Sequence, residues 1–199
     1  TTGLTGDFDK GTIFTSEATA ALVVDLMEVD RSRVVGLPLE EPARIAGFDI
    51  TLLDAHHCPG AVMFLIVHPS TGRTVLHTGD FRADSTLCAH PLLASLRGRV
   101  DALYLDTTYC SPRHRFPGQA EVLERVGALV KWELARDPGT LFLVGTYGIG
   151  KEKVLEAVAR AAGSRCLVSA RKARVLRLAG VWDDSLYVMG NQGKDASVG

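Results

Sequence analysis

The longest unbroken apolar run in the chain is AVMFLIV, Ala61 to Val67. It is far shorter than the roughly 18 residues a membrane span needs. It is also too continuous for a strand with one wet face, and suits a strand covered on both sides. A chain that must bury such a strand has to build layers around it. The other apolar stretches are equally short and are punctuated by glycine and proline, of which the sequence holds 20 and 8. That texture predicts many short elements and excludes a helical bundle. At 199 residues, 46% hydrophobic and 23% charged, the chain is large enough for one full domain or two small ones and is not disordered throughout.

Gly11 to Ser16 reads as a short strand, with Ser16 as the N-cap of a helix from about Glu17 to Glu28. Three β-type runs follow, ARIAGFDITLLDA, AVMFLIVHP and RTVLHTGDF, the last two joined by the turn signal Pro69-Ser70-Thr71-Gly72. A short amphipathic piece near Pro91 to Leu96 precedes the strand DALYLD. After a Pro- and Gly-bearing loop, the apolar spacing predicts a helix over Gln119 to Arg136, stopped by Asp137-Pro138-Gly139. Strand TLFLVG, a glycine loop, a helix from Lys151 to Ala162, strand CLVS, a basic helix from Arg171 to Leu178 and a strand near Leu186 to Val188 complete the pattern. The class is α/β: a β-rich first part and an alternating strand-helix second part, with the boundary between Asp106 and Gly118. The chain starts at Thr1 without a Met and ends in a polar tail, GNQGKDASVG, so it is expected to be a piece of a longer protein.

Net charge is −1, which says nothing about a polyanionic partner. Residues 1–105 are acidic in balance and residues 106–199 basic, as a carboxylate-rich metal site beside an anion-binding surface would be, although chance explains it as well. Cys58, Cys88, Cys110 and Cys166 form no CxxC pair, so neither a zinc knuckle nor a disulfide framework is indicated.

Two strand ends carry candidate chemistry. DAHHCPG places a carboxylate, two imidazoles and a thiol before a Pro-Gly stop, good donors for a divalent cation. HTGDFR places Asp80 after a glycine that lets backbone approach closely. The bland alternatives are a surface histidine and a turn aspartate. His57 and Asp80 reach one sheet edge if the hairpin between them pairs; His56, its neighbour's opposite along a strand, should face away. Tyr104, inside a strand, reads as core. Gly145 to Lys151 fits the first seven positions of GxxxxGK(S/T), but Glu152 stands where Ser or Thr should hold Mg²⁺, which argues against a nucleoside triphosphate. Glycine amides, a helix start and Lys151 still favour an anion.

The strings DAHHCPGAVMF, VLHTGDFR, LYLDTTYCSP and GTYGIGKEKV, in this order, resemble the metallo-β-lactamase-fold β-CASP DNA nucleases, in the branch of DNA cross-link repair 5′ exonucleases that includes Artemis and Apollo. The resemblance implies part of a metallo-β-lactamase αββα sandwich over residues 1–112, followed by part of an inserted β-CASP α/β domain over 113–199. It implies that His57 and Asp80 are metal ligands, with Asp80 and Asp106 catalytic and Asp106 orienting its neighbours. The implied cofactor is zinc, one or two divalent ions, and the implied partner is DNA with a 5′-phosphate end; protein partners are unspecified. Candidates for holding that phosphate are Thr107, Thr108, Tyr109, Ser111, Tyr147, Gly148 and Lys151. The implied role is 5′-to-3′ exonuclease action in interstrand cross-link and double-strand break repair, in the nucleus and away from membranes. The family's HxHxDH motif is absent, and in the family it lies just before a stretch like Thr1-Thr2-Gly3-Leu4, while the β-CASP histidine is expected past Gly199. With two ligands only, the chain by itself is expected to be inactive. The alternatives are a small-molecule hydrolase of the same fold, acting on a thioester or lactam, and a degenerate DNA-binding relative without catalysis.

Overall fold

A computed structural model describes residues 4–190 and divides the chain into two compact units, Thr1–His114 and Arg115–Gly199. The opening Thr1-Thr2-Gly3 and the polar tail at 191–199 lie outside the described residues.

The first unit opens with β1 (Ile13–Ser16), α1 (Glu17–Leu26) and β2 (Val34–Leu37). Strands β1 and β2 pair in parallel, Ile13 opposite Val34. Helix α1 starts where the sequence signals it: Ser16, in extended conformation, accepts a hydrogen bond from the Thr19 amide. Such a cap contributes about 1 kcal/mol. The helix closes on its small sheet through Ala20, Val23, Val29 and Val34. Strand β2 has no counterpart in the sequence reading: it is four residues long, is preceded by a one-turn helix at Arg31–Arg33, and among the described residues finds its strand partner some twenty residues back.

A five-stranded sheet follows, in the order β3 (Ala43–Ile45), β4 (Phe48–Asp54), β5 (Val62–Val67), β6 (Thr74–His77) and β7 (Ala102–Tyr104). The run ARIAGFDITLLDA is a hairpin and not one strand, because Ala46 and Gly47 both take positive φ (48° and 87°), the geometry of a tight two-residue turn. Pro69 to Gly72 turns β5 into β6 as expected. Strand β5 is central, but only one of its faces is closed: Met63 and Leu65 are buried, while Val62, Phe64 and Ile66 are half-buried. The closed face packs Leu53, Ala55 and Met63 against Leu87, Leu92 and Leu93 of two short helices, α2 (Ser85–Cys88) and α3 (Pro91–Ser95). Truncating Met63 to alanine there would cost about 2–5 kcal/mol. These helices also carry the crossover that a parallel β6–β7 pair requires.

The register decides where function can sit. Strands β4 and β6 both run antiparallel to β5, with Asp54 opposite Val62 and His77 opposite Phe64. Strand β7 runs parallel to β6, with Tyr104 opposite His77. The carboxyl ends of β4, β6 and β7 therefore share one end of the sheet, and the loops leaving them begin side by side.

The second unit holds α4 (Gln119–Arg136), α5 (Glu152–Ala162), β8 (Cys166–Val168), α6 (Ala170–Leu178) and β9 (Tyr187–Met189). Strands β8 and β9 pair in parallel around a core of Leu155, Ala159, Val168, Ala173, Leu176, Leu186 and Tyr187. The segment TLFLVG, expected as a strand, joins no ladder among the described residues; Leu141 and Leu143 are 79% and 88% exposed, and Val144 packs on the core. An apolar segment without a hydrogen-bonded neighbour is not a strand, whatever its propensity.

Candidate functional site

Three loops leave the shared sheet end: residues 55–61 after β4, 78–84 after β6 and 105–114 after β7. Carboxyl ends of neighbouring strands are a common place for ligand sites in α/β sheets.

The first loop carries His56 and His57 and is fastened from two directions. Gly60, at φ 82°, turns its carbonyl to accept from the Ser16 and Thr19 hydroxyls at 2.7 and 2.9 Å. A Cβ at Gly60 would lie 2.8 Å from the Thr19 hydroxyl, so the residue must be glycine for space as well as for φ. On the other side the Arg82 amide donates to the Ala55 carbonyl at 2.9 Å, joining the first loop to the second. His56 adds a further link. It lies in a turn at φ 53° and not on a strand, and its Nδ1 is 2.9 Å from the Asp84 carboxylate. Asp84 also accepts from the Leu87 amide at 2.8 Å and caps α2. That amide, and then the His56 ring, holds the Asp84 carboxyl below its ordinary pKa. His56 thus ties two loops together, and His57 is left exposed.

The second and third loops meet at Thr78, which is 3% exposed. Its amide donates to the Tyr104 carbonyl at 2.9 Å, its hydroxyl accepts from the Asp106 amide at 3.0 Å, and it donates to the Gly79 carbonyl. Gly79, at φ 55°, passes within 3.2 Å of the Val62 carbonyl when a Cβ is built on it, so Asp80 leaves the sheet immediately beyond a close backbone crossing. Asp106 accepts from the Thr108 amide at 2.9 Å. Hydrogen bonds from the Thr108 side chain and backbone and from the Phe81 amide, together with the nearby His57 ring, hold its carboxyl below the ordinary range. His57, the residue after Asp80, and Asp106 are therefore gathered at one sheet end, and Thr107, Thr108, Tyr109 and Ser111 follow on the same loop. Tyr109 is 63% exposed and contacts the His114 ring edge-on at 5.4 Å. Tyr104 is not core: it is 59% exposed, because β7 is the edge strand of the described sheet, and it stacks on His77 at 5.5 Å.

Among the described residues, no group of three or more His, Cys, Asp and Glu side chains is arranged to hold a metal ion. His57 and Asp80 offer two donors, fewer than the three protein ligands of an ordinary catalytic zinc site. The residues present do not by themselves fit a zinc centre.

Tyr147, Gly148 and Lys151 belong to the second unit. Lys151 stands at the start of α5 in a left-handed conformation, φ 65°, with its Nζ 4.4 Å from the centre of the Tyr147 ring. The loop interior is not an open anion cradle. The Gly150 amide donates to the carboxylate of Glu152 at 2.8 Å, and Glu152 is buried against Lys172 at 2.7 Å. Neither side chain stood out in the sequence as a pair, because they lie twenty positions apart with no local pattern linking them. Thr78 could have been found: a hydroxyl between a strand end and a glycine is well placed to bridge loops.

No protein-family model matches the chain. Among curated proteins, it is 41% identical over 192 residues to the DNA cross-link repair protein SNM1 of Arabidopsis thaliana, covering 96% of this chain and 39% of that protein. It is 42% identical over 165 residues to the DNA cross-link repair 1A protein of Homo sapiens, 83% of this chain and 16% of that one. The 5′ exonuclease Apollo of Gallus gallus is 36% identical over 152 residues, 76% of this chain and 30% of that protein. A crystal structure of a protein of unknown function from Enterococcus faecalis V583 superposes with a TM-score of 0.60 at 18% identity, over 92% of this chain and 47% of that one, a likeness of fold alone. Over most of its own length the chain's homologues are thus DNA cross-link repair proteins of the SNM1 kind and the 5′ exonuclease Apollo. It spans about two fifths or less of the length of these relatives.

Proposed function

We propose that this chain is part of a DNA repair nuclease that hydrolyses phosphodiester bonds, working from a 5′ end on damaged DNA in the nucleus. The observation that carries the reading is the convergence of His57, Asp106 and the segment bearing Asp80 on the shared carboxyl end of β4, β6 and β7, in a chain of this kinship. Residues 1–112 are then part of a metallo-β-lactamase sandwich and residues 113–199 part of a β-CASP domain. Likeness to a solved structure over 92% of this chain and 47% of that one supports an α/β fold.

In this reading His57 and Asp80 would contribute two ligands to a divalent cation such as zinc, which when bound lowers the pKa of water. The chain's own residues do the rest. The Asp106 carboxylate, held below its ordinary range by its Thr108 and Phe81 hydrogen bonds, would orient its neighbours at the site. Thr78 fixes the Asp106 backbone, and the His56–Asp84 link keeps the first and second loops in register. In the first unit Thr107, Thr108, Tyr109 and Ser111 offer hydroxyls and a ring to a substrate phosphate and its base; the second unit, taken by itself, offers DNA a ring at Tyr147, a slim backbone at Gly148 and a charge at Lys151. A terminal phosphate carries roughly one more negative charge than an internal diester, so concentrated donors can select it.

The test is cleavage of matched 5′-phosphate and 5′-hydroxyl single-stranded oligonucleotides by the polypeptide in which this sequence occurs. Stepwise loss of nucleotides from the 5′ end, faster with the phosphate, is expected. Internal cuts independent of the end would overturn the exonuclease reading, and no cleavage of either would overturn the nuclease reading.

A further inference from the structure

The glycine loop of the second unit looks, by its sequence, like a phosphate cradle, yet its interior is already occupied by the protein. Lys172, on α6, turns its ammonium into the loop, where it donates to the Tyr147 carbonyl at 3.2 Å, the Gly148 carbonyl at 3.1 Å and Glu152 at 2.7 Å. Three donors meet three acceptors, so the ammonium is fully satisfied. The Lys172 and Glu152 side chains are 10% and 5% exposed. Glu152 in turn accepts from the Gly150 amide, consuming a donor that an anion would need. Two carbonyls and a carboxylate facing inward make this a cation-binding interior, filled by Lys172.

The outer side of the same loop is different. Tyr147 is 69% exposed, Lys151 is exposed, and its ammonium lies over the Tyr147 ring. A lysine in the left-handed region persists only where its surroundings fix it. The fixing contacts here are the hydrogen bonds on either side of it, at Tyr147 and Gly148 before and at Gly150 and Glu152 around it.

We propose that the buried Glu152–Lys172 pair is a positioning lock that holds residues 147–151 so that Tyr147 and Lys151 face outward as one ring-and-ammonium surface for a DNA strand end. This rests on the nuclease reading above and deepens it. Contact with DNA runs through the Tyr147 face and the Lys151 charge, and not through a nest of backbone amides. The pair is suited to the task because a buried ion pair contributes little net stability but has a sharply defined geometry, in keeping with its use to fix one arrangement over others.

The test compares the chain with three variants: Lys151→Ala; Glu152→Leu with Lys172→Met; and all three changes together. The double change replaces both charges with apolar side chains of similar volume, which avoids leaving one buried charge unpaired. Amide hydrogen exchange over residues 147–151 reads the lock, and anisotropy of a 5′-phosphorylated single-stranded oligonucleotide reads the surface. The lock predicts at least about tenfold faster exchange at Gly150 in the double variant, while the Cys166 amide of the core keeps its wild-type exchange. Lys151→Ala and the double variant should each weaken oligonucleotide binding by about tenfold, the scale of one charge-assisted contact. The triple variant should lose no more than either, because both routes remove the same surface. Unchanged Gly150 exchange overturns the proposal whatever happens to binding, and so does an additive loss in the triple variant. Faster exchange with binding insensitive to all three variants overturns the loop as a DNA contact, and its positioning role with it, while leaving the lock itself standing.

Discussion

Replacing Gly60 by alanine should unfasten the loop that carries His57. Two separable effects act there. The residue sits at φ 82°, where an L side chain costs about 1–2 kcal/mol. The added methyl would also lie 2.8 Å from the Thr19 hydroxyl, 3.2 Å from the Ala18 Cβ and 3.2 Å from the Thr19 amide. Two of those three neighbours are at the start of a capped helix and cannot swing away, so overpacking adds about 1–3 kcal/mol. The total, about 2–5 kcal/mol, is a large share of an ordinary domain's stability. Gly72 supplies the control. It has φ 70° and no atom within 4 Å of a built Cβ, so Gly72→Ala isolates the backbone cost and should lose only about 1–2 kcal/mol. Urea unfolding followed by far-ultraviolet circular dichroism measures both. With a slope of about 1–3 kcal/mol per molar, the Gly60 variant should shift its midpoint by roughly 1 M or more, clearly beyond the Gly72 variant. Equal shifts in the two variants would refute the packing of the His57 loop on the start of α1.

Thr78→Val keeps the shape of a buried side chain but leaves the Asp106 amide without its acceptor, and should cost about 1–3 kcal/mol while lowering cleavage by the polypeptide in which this sequence occurs; urea unfolding and a nuclease assay on the same preparation check it. Asp84→Asn tests the pH dependence. Because the folded Asp84 carboxyl is held below its ordinary value, its contribution is present above the ordinary carboxylate range and is lost as pH falls through the folded value. The gap in urea midpoint between wild type and Asp84→Asn should therefore be open at pH 7 and close as the solution is acidified below the ordinary carboxylate range.

What was legible in the sequence was what is local. Ser16 declares the start of α1 because a cap needs only its own next few residues, and Gln119 to Arg136 declares itself by helical spacing with an Asp-Pro-Gly stop. Pro69 to Gly72 declares its turn for the same reason. The errors fall where a distant partner decides. Strand β2 exists because β1 lies beside it, and TLFLVG is not a strand because nothing in the described residues pairs with it. Tyr104 was misread because an edge strand and a central strand have the same composition. At the site, the residue types were legible, but the contacts that aim them were not. His56 with Asp84 and Thr78 with Asp106 each join residues 28 apart, and Glu152 with Lys172 joins residues 20 apart. No periodicity spans such separations, so only the folded register brings them together.

On the function proposed above, the sheet end bearing His57, Asp80 and Asp106 would serve phosphodiester hydrolysis. Single-turnover cleavage of a 5′-phosphorylated oligonucleotide by the polypeptide in which this sequence occurs, wild type against Asp80→Asn, tests it most directly, with binding of the same oligonucleotide measured alongside. Asparagine keeps the shape of Asp80 and removes the charge a dication requires, so cleavage should fall by at least about a hundredfold while binding is retained. Cleavage by Asp80→Asn at the wild-type rate would make Asp80 an ordinary turn residue and contradict the assignment of the site.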